Sequence, residues 1–143
     1  MQMNLRTDYA LRMLMALAAK EEVVSIDLLA EHYDISRNHL AKVAQSLQAW
    51  GWIRSVRGRG GGLMLAHPPE AVCVGTIVRQ LESFDGFVGC FAQGSGCRID
   101  GACGLHPALS TALEAFLTAL DGYTLADITN QPAALTAQLG IGA

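Results

Sequence analysis

The stretch SIDLLAEHYDISRNHLAKVAQSLQAWGWIRSVRGRGGGLMLA, residues 25–66, decides the fold class. Ser25 is a good N-cap for a short helix over 26–32, with Leu28 and Leu29 on its inner side. Tyr33, Asp34 and Ile35 make a tight connection to Ser36, the cap of a further helix over 37–50. In that helix Leu40, Val43, Ala44 and Leu47 are spaced 3, 1 and 3, which is one helical face. Gly51 suits the left-handed position just past its end. Two short helices joined by three residues, the second one basic, read as a helix-turn-helix. Residues 52–56 then read as a strand, RGRGGG (57–62) as a turn and 63–66 as a returning strand. A β-hairpin in that place is a wing, with Arg57 and Arg59 at a glycine-rich tip where the backbone can approach a partner closely.

Upstream, Leu5, Tyr9, Met13 and Leu17 recur every four residues with Ala10 and Leu14 beside them, which predicts a helix over 5–19. Asp8 falls in its early turns, where a carboxylate suits the helix macrodipole. His67-Pro68-Pro69 ends the unit. Downstream, Thr76 is the expected cap of a helix over 77–83, and Pro107 opens a long helix to about residue 121. Its Leu109, Leu113, Phe116 and Leu120 step by 4, 3 and 4, a heptad-like seam suited to pairing two subunits. Packing within one subunit is the alternative for that seam. Residues 125–129 form a further short turn, and the tail after Pro132 carries apolar residues without evident chemistry. The expected architecture is mainly α with a small β-hairpin wing: a winged helix-turn-helix DNA-binding domain over 1–69, then a cluster-binding loop and dimerisation helix over 70–143.

Charge is distributed to match. The net charge is −3, but residues 36–69 carry Arg37, Lys42, Arg54, Arg57 and Arg59 and no acid. From residue 70 onward seven acids face only Arg79 and Arg98. This is a basic reading face on an acidic body. Arg37, Asn38 and His39 lie near the N-terminal end of the second helix of the pair, the end that enters the major groove. Arg and Asn can read guanine and adenine edges bidentately. Lys42 is placed for phosphate, and Arg57 and Arg59 for a minor groove or phosphates. The glycine run of the wing fits neither GxGxxG nor GxxxxGKS, so nucleotide binding is not expected. With 51% hydrophobic and 16% charged residues, no apolar run long enough for a bilayer and no signal peptide, the chain is expected to be globular and cytoplasmic, with no membrane partner.

The second informative stretch is CFAQGSGCRIDGACGLH, residues 90–106. It spaces Cys90, Cys97, Cys103 and His106 as C-x6-C-x5-C-x2-H, and six glycines lie between residues 86 and 104. Such a loop loses much chain entropy on ordering and gains few apolar contacts in return, so ligation by the thiolates is the economical way to hold it. Zinc sites favour CxxC knuckles, and these gaps are wider, which puts an iron–sulfur cluster ahead of zinc. Three cysteines leave one ligand position open, and His106 is the local candidate for it. Cys73 lies apart in an apolar stretch and reads as a small core residue. An enzyme is not expected, because Cys103 and His106 have no third orienting group in view.

Several segments together resemble the Rrf-two family of winged-helix repressors, and within it the nitric-oxide-sensing repressors: TDYALRML (7–14), ISRNHLAKV (35–43), RGRGGGLML (57–65), GTIVRQLE (75–82), the cysteines at 90, 97 and 103, and LDGYTLADI (120–128). The resemblance implies a homodimer whose long C-terminal helices cross and whose two winged helices bind a palindromic double-stranded operator. It implies an iron–sulfur cluster in each subunit, 4Fe–4S in the sensing form, on Cys90, Cys97 and Cys103. It also implies a fourth ligand from the first helix of the other subunit, which Asp8 in TDYALR matches. Nitric oxide is the implied signal, with nitrosylation of the cluster releasing operator DNA. His106 stands where related regulators of iron–sulfur biogenesis have a histidine ligand to a 2Fe–2S cluster, so that ligand set is the alternative, as is a zinc-stapled DNA-binding protein.

Overall fold

The computed structural model describes residues 2–142. The elements run α1 (Leu5–Lys20), α2 (Ile26–Tyr33), α3 (Arg37–Ala49), β1 (Ile53–Val56), β2 (Gly62–Leu65), α4 (Val74–Leu81), α5 (Leu105–Asp121), α6 (Leu125–Ile128) and α7 (Pro132–Gln138). The chain is mainly α with one antiparallel hairpin, as expected.

Helix α1 begins at Asn4, whose side-chain oxygen accepts the Thr7 N–H at 3.0 Å. Its inner face, Ala10, Met13, Leu14, Ala16 and Leu17, is fully buried. Helices α3, α4, α6 and α7 and strand β2 all pack against it. Each fully buried Leu here contributes ~2 kcal/mol of hydrophobic stabilisation. Helix α2 starts as predicted, with Ser25 Oγ accepting the Leu28 N–H at 3.1 Å. Asp34 turns the chain in a left-handed conformation (φ 52°), and the buried Ile35 sends its N–H back to the Ala30 carbonyl. Ser36 holds the N-cap position of α3 but makes no side-chain cap bond. Gly51 is left-handed (φ 77°) after α3, as expected.

The hairpin pairs Ile53 with Leu65 and Val56 with Gly62. Val24 joins its outer side by exchanging backbone hydrogen bonds with Leu63 at 2.9 and 2.8 Å, which stitches the α1–α2 connection to the wing. Gly62 makes this approach feasible, because a Cβ there would lie 2.5 Å from the Val24 carbonyl oxygen.

Helix α4 starts at Val74, three residues ahead of the predicted Ile77, and Thr76 is not its cap. The cause is tertiary: Cys73 bridges Thr124, and the Val74 N–H donates to the Tyr123 carbonyl at 2.9 Å. Cys73 is half-buried at this junction, with its thiol 3.6 Å from the Asp121 carbonyl oxygen, rather than in the core. A reciprocal capping box between Thr124 and Asp127 starts α6, and the hydrogen bonds from the Thr124 N–H and hydroxyl hold the Asp127 carboxyl below its usual range. Arg79 of α4 grips Glu114 at 3.0 Å and Asp121 at 2.8 Å on α5.

Much of the α5 seam is used inside the subunit. Leu113 and Leu117 are buried on Val74 and Val78, with Phe116 and Leu120 packed on the same cluster. Among the residues that α5 leaves exposed is a row of alanines, Ala108, Ala112, Ala115 and Ala119. The C-terminal tail is part of the main core: Leu139 and Ile141 are buried there, and Lys20 Nζ donates to the Ile141 carbonyl at 2.7 Å. The main core therefore draws on residues from both 1–69 and 70–143.

Gly75 packs directly on the end of α5. A Cβ there would meet Asp121 Oδ1 at 2.0 Å and the Asp121 backbone nitrogen at 2.7 Å. Gly75→Ala is expected to destabilise the fold by about 2 kcal/mol, read as a lower urea midpoint with an unchanged slope.

Candidate metal centre and nucleic-acid interface

Residues 83–104 connect α4 to α5 without long regular structure, through local turns such as Phe87 N–H to Phe84 O (2.9 Å) and Asp100 N–H to Cys97 O (3.3 Å). Gly94, Gly96 and Gly101 are left-handed, which curls the loop on itself. A row of rings ties it to the body. Phe87 lies 5.7 Å from Phe91, and Phe91 lies 5.0 Å from His106. Phe91 also packs on the α4–α5 cluster.

The curl brings Cys90, Cys97, Cys103 and His106 to the wall of one cavity of about 300 Å³. Asp100, which the spacing argument passed over, lines the same cavity and accepts the Gly101 N–H at 3.0 Å. Its signal was present as an acid inside the cysteine spacing. The three thiols are free, Cys97 exposed and the other two half-buried. Helix α5 begins at Leu105, two residues before Pro107, so His106 sits in the first helical turn rather than at the N-cap. That start aims the Leu105 N–H at Cys103 Sγ at 3.4 Å, the kind of hydrogen bond that stabilises a metal-bound thiolate. Among the described residues no three His, Cys, Asp or Glu side chains converge on a point sized for a single ion. Three thiols lining one cavity, with an N–H on one sulfur, are the donor set of a sulfur-ligated group.

Asp8 lies outside that cavity. Within its own subunit its two carboxylate oxygens pair with Arg12 Nε at 3.1 Å and Nη2 at 3.0 Å. The Arg12 carbonyl in turn accepts the Tyr33 hydroxyl at 2.9 Å, and its guanidinium lies 6.0 Å from the centre of the Tyr33 ring. Burial pushes the Tyr33 hydroxyl up to about 12, partly offset by Arg12. The i,i+4 spacing of Asp8 and Arg12 makes this pair readable in the sequence.

On the other face, Arg37, Asn38, His39 and Lys42 are exposed along the first turns of α3. Arg37 is held by Asp27 of α2, which limits its freedom to search for a base edge. His39 and Lys42 also line a mainly apolar cleft of about 220 Å³ with Leu5, Arg6 and Tyr9 of α1. Arg57 and Arg59 are exposed at the wing tip and make no ion pair among the described residues.

The family described as "Rrf2: Iron-dependent Transcriptional regulator" matches residues 3–131. The chain belongs to the Rrf2 family. It is 42% identical over 142 residues to the HTH-type transcriptional regulator NsrR of Geobacillus kaustophilus, with 97% of each chain covered. Among solved structures it is similar to T. potens IscR, with TM-score 0.73, 26% identity and coverage of 91% of this chain and 87% of that one. It is also similar to CymR, the global cysteine regulator of B. subtilis, with TM-score 0.74, 25% identity and coverage of 91% and 97%. This Rrf2 protein is a DNA-binding transcriptional regulator of winged-helix architecture, as the charge map and the helix-turn-helix spacing predicted. The family is described by regulation rather than by catalysis.

Replacing an exposed wing arginine is expected to have two effects. Arg59→Ala lowers operator affinity and flattens the slope of log K against log salt by ~0.9, one phosphate contact. Filter binding or fluorescence anisotropy over a salt series measures both.

Proposed function

We propose that this Rrf2 protein is a homodimeric, cytoplasmic repressor that senses nitric oxide through an iron–sulfur cluster, 4Fe–4S in the sensing form, and releases a palindromic operator when the cluster is nitrosylated. The observation that carries the reading is the shared cavity of Cys90, Cys97 and Cys103, with the Leu105 N–H on the third sulfur. The 42% identity to a regulator named NsrR supports the same reading. Residues 1–69 serve as the reading unit, with Arg37, Asn38, His39, Lys42, Arg57 and Arg59 toward DNA. Residues 70–143 hold the cluster and pair the subunits.

Three surfaces support pairing with a second copy. Leu5, one turn from Asp8, and Ile99 and Leu105, beside the cysteines, are each more than half exposed. The alanine row on α5 is also bare, and small side chains there let two helices approach closely. Large apolar side chains left in water mark an interaction surface. In this arrangement Asp8 of the second subunit supplies the fourth ligand to the three cysteines. Cys90, Cys97 and Cys103 would hold the cluster, Asp8 would add a hard carboxylate oxygen to that set of soft thiolates, and the bound group would supply iron reactive toward nitric oxide. An Asp8 without that bond would pair with Arg12, as it does in the single subunit. Helix α1, freed at that end, shifts α3 packed against it. Tandem major-groove contacts lie about 34 Å apart, so a small shift in each subunit breaks register at both half-sites. Moving occupancy from mostly bound to mostly free needs a difference of roughly 5 kcal/mol between the two states.

A second reading has one observation in its favour: His106 lines the cavity within the same subunit, beside the Phe91 ring. There it would complete a 2Fe–2S site, and the protein would report iron–sulfur or redox status.

An anaerobic titration with nitric oxide, followed by visible absorption alongside operator binding, tests the main reading. A brown protein that loses its absorption and its operator together is expected; a colourless zinc protein would sink it. His106→Ala is expected to leave the absorption nearly unchanged while Asp8→Ala alters the response to nitric oxide. The reverse pattern selects the histidine site.

A further inference from the structure

Glu82 is the last residue of the α4 turn before the cysteine loop begins, and it does not point idly into solvent. One of its carboxylate oxygens accepts the backbone N–H of Asn4 at 2.9 Å, and the other accepts the Asn4 side-chain amide at 3.4 Å. The same Asn4 caps α1 through its oxygen, which accepts the Thr7 N–H at 3.0 Å. Two residues on, Arg6 Nη2 donates to Ser46 Oγ at 2.6 Å, and its guanidinium lies 5.7 Å from the centre of the Trp50 ring. Ser46 Oγ donates to the carbonyl of Lys42 on the reading helix. A second contact leaves the same turn of α4: Gln80 Oε1 accepts the Trp52 indole N–H at 2.6 Å at the base of the wing.

The last turn of α4 thus holds both parts of the DNA-binding unit, α1 through Glu82 and the wing through Gln80. Beside the Glu82–Asn4 contact lies a cavity of about 520 Å³ lined by Asn4, Glu82, Phe84, Phe87 and Phe116. The first residues of the cysteine loop therefore border open space, while the hydrogen bonds at the cavity edge are directional and respond to a shift there.

We propose that Glu82 and Asn4 form a clasp, within one subunit, that transmits the state of the cysteine loop through Arg6 to Ser46 and the reading helix. The clasp rests on the reading of that loop as a cluster-holding sensor, and it adds an intrasubunit path to the one through Asp8 of the second subunit. Glu82 and Asn4 are positioning residues. Neither lies on the cysteine-lined cavity.

The test exchanges donor and acceptor. Asn4→Asp keeps the oxygen that caps α1 but sets a carboxylate against Glu82. Adding Glu82→Gln puts an amide donor opposite that carboxylate and restores the pair with its polarity reversed. Operator affinity is measured anaerobically for cluster-loaded and cluster-free forms of the wild type, both single variants and the double variant. Asn4→Asp is expected to bring the ratio of the two affinities about fivefold closer to one, and the double variant to recover it, with cluster absorption equal throughout. In the cluster-free protein, amide exchange over residues 5–8 rises with Asn4→Asp and returns in the double variant, which reports the clasp without the cluster. A ratio that Asn4→Asp leaves at the wild-type value, or that Glu82→Gln does not restore, overturns the clasp. A wild-type ratio of one removes the cluster-sensing reading and the clasp's role together.

Discussion

The burial of one face of α1 is the constraint on which the remaining structure depends. Ala10, Met13, Leu14 and Leu17 have essentially no contact with water, and α3, α4, α6, α7 and β2 lean on them. A close-packed face of this kind does not deform gradually, so displacement of α1 is passed on to its neighbours. The polar edge of the same helix is the opposite in character. Asn4, Arg6, Asp8 and Arg12 are each held by a replaceable polar contact, to Glu82, Ser46, Arg12 and Tyr33 in turn. One helix thus carries a rigid face that supports the core and an adjustable polar edge.

The cysteine loop shows the complementary economy. Few of its side chains are packed, and its backbone closes only on itself in short turns. The Phe87–Phe91–His106 row, with Phe84 and Phe91 on the α4–α5 cluster, fixes it to the rest of the molecule. Little within the loop itself offsets the entropy of ordering its chain. The exposed His106 ring is placed by the first turn of α5 and lies 5.0 Å from the Phe91 ring.

Legibility in the sequence followed the range of the interactions. The helix-turn-helix and the wing were readable because Ser25, Gly51 and the glycine tip act locally, through caps and φ angles. Helix α4 was misplaced by three residues because its start is set by Tyr123 and Thr124, far along the chain. The α5 seam was read for pairing between subunits, yet Leu113 and Phe116 pack on α4; periodicity marks a buried face without saying what buries it. The tail after Pro132 offered no motif, and its docking on Lys20 and the core depends on long-range shape. At the site, the cysteines were visible from spacing, and Asp100 was overlooked between them. The proposal of Asp8 as a ligand rests on family resemblance alone, since no local rule separates it from an ordinary first-turn acid paired with Arg12.

The stitch between Val24 and Leu63 has a consequence for how such a regulator can diversify. It pins the base of the hairpin to the core of the reading unit, while Gly58 and Gly60 at the tip face open space. Arg57 and Arg59 can change without touching the packed core, whereas Gly58 and Gly60 hold positive φ and a Cβ at Gly61 would lie 2.3 Å from the Val56 carbonyl oxygen. The wing tip is thus an appendage whose charged side chains evolution can replace while its glycine frame and the core behind it are kept whole.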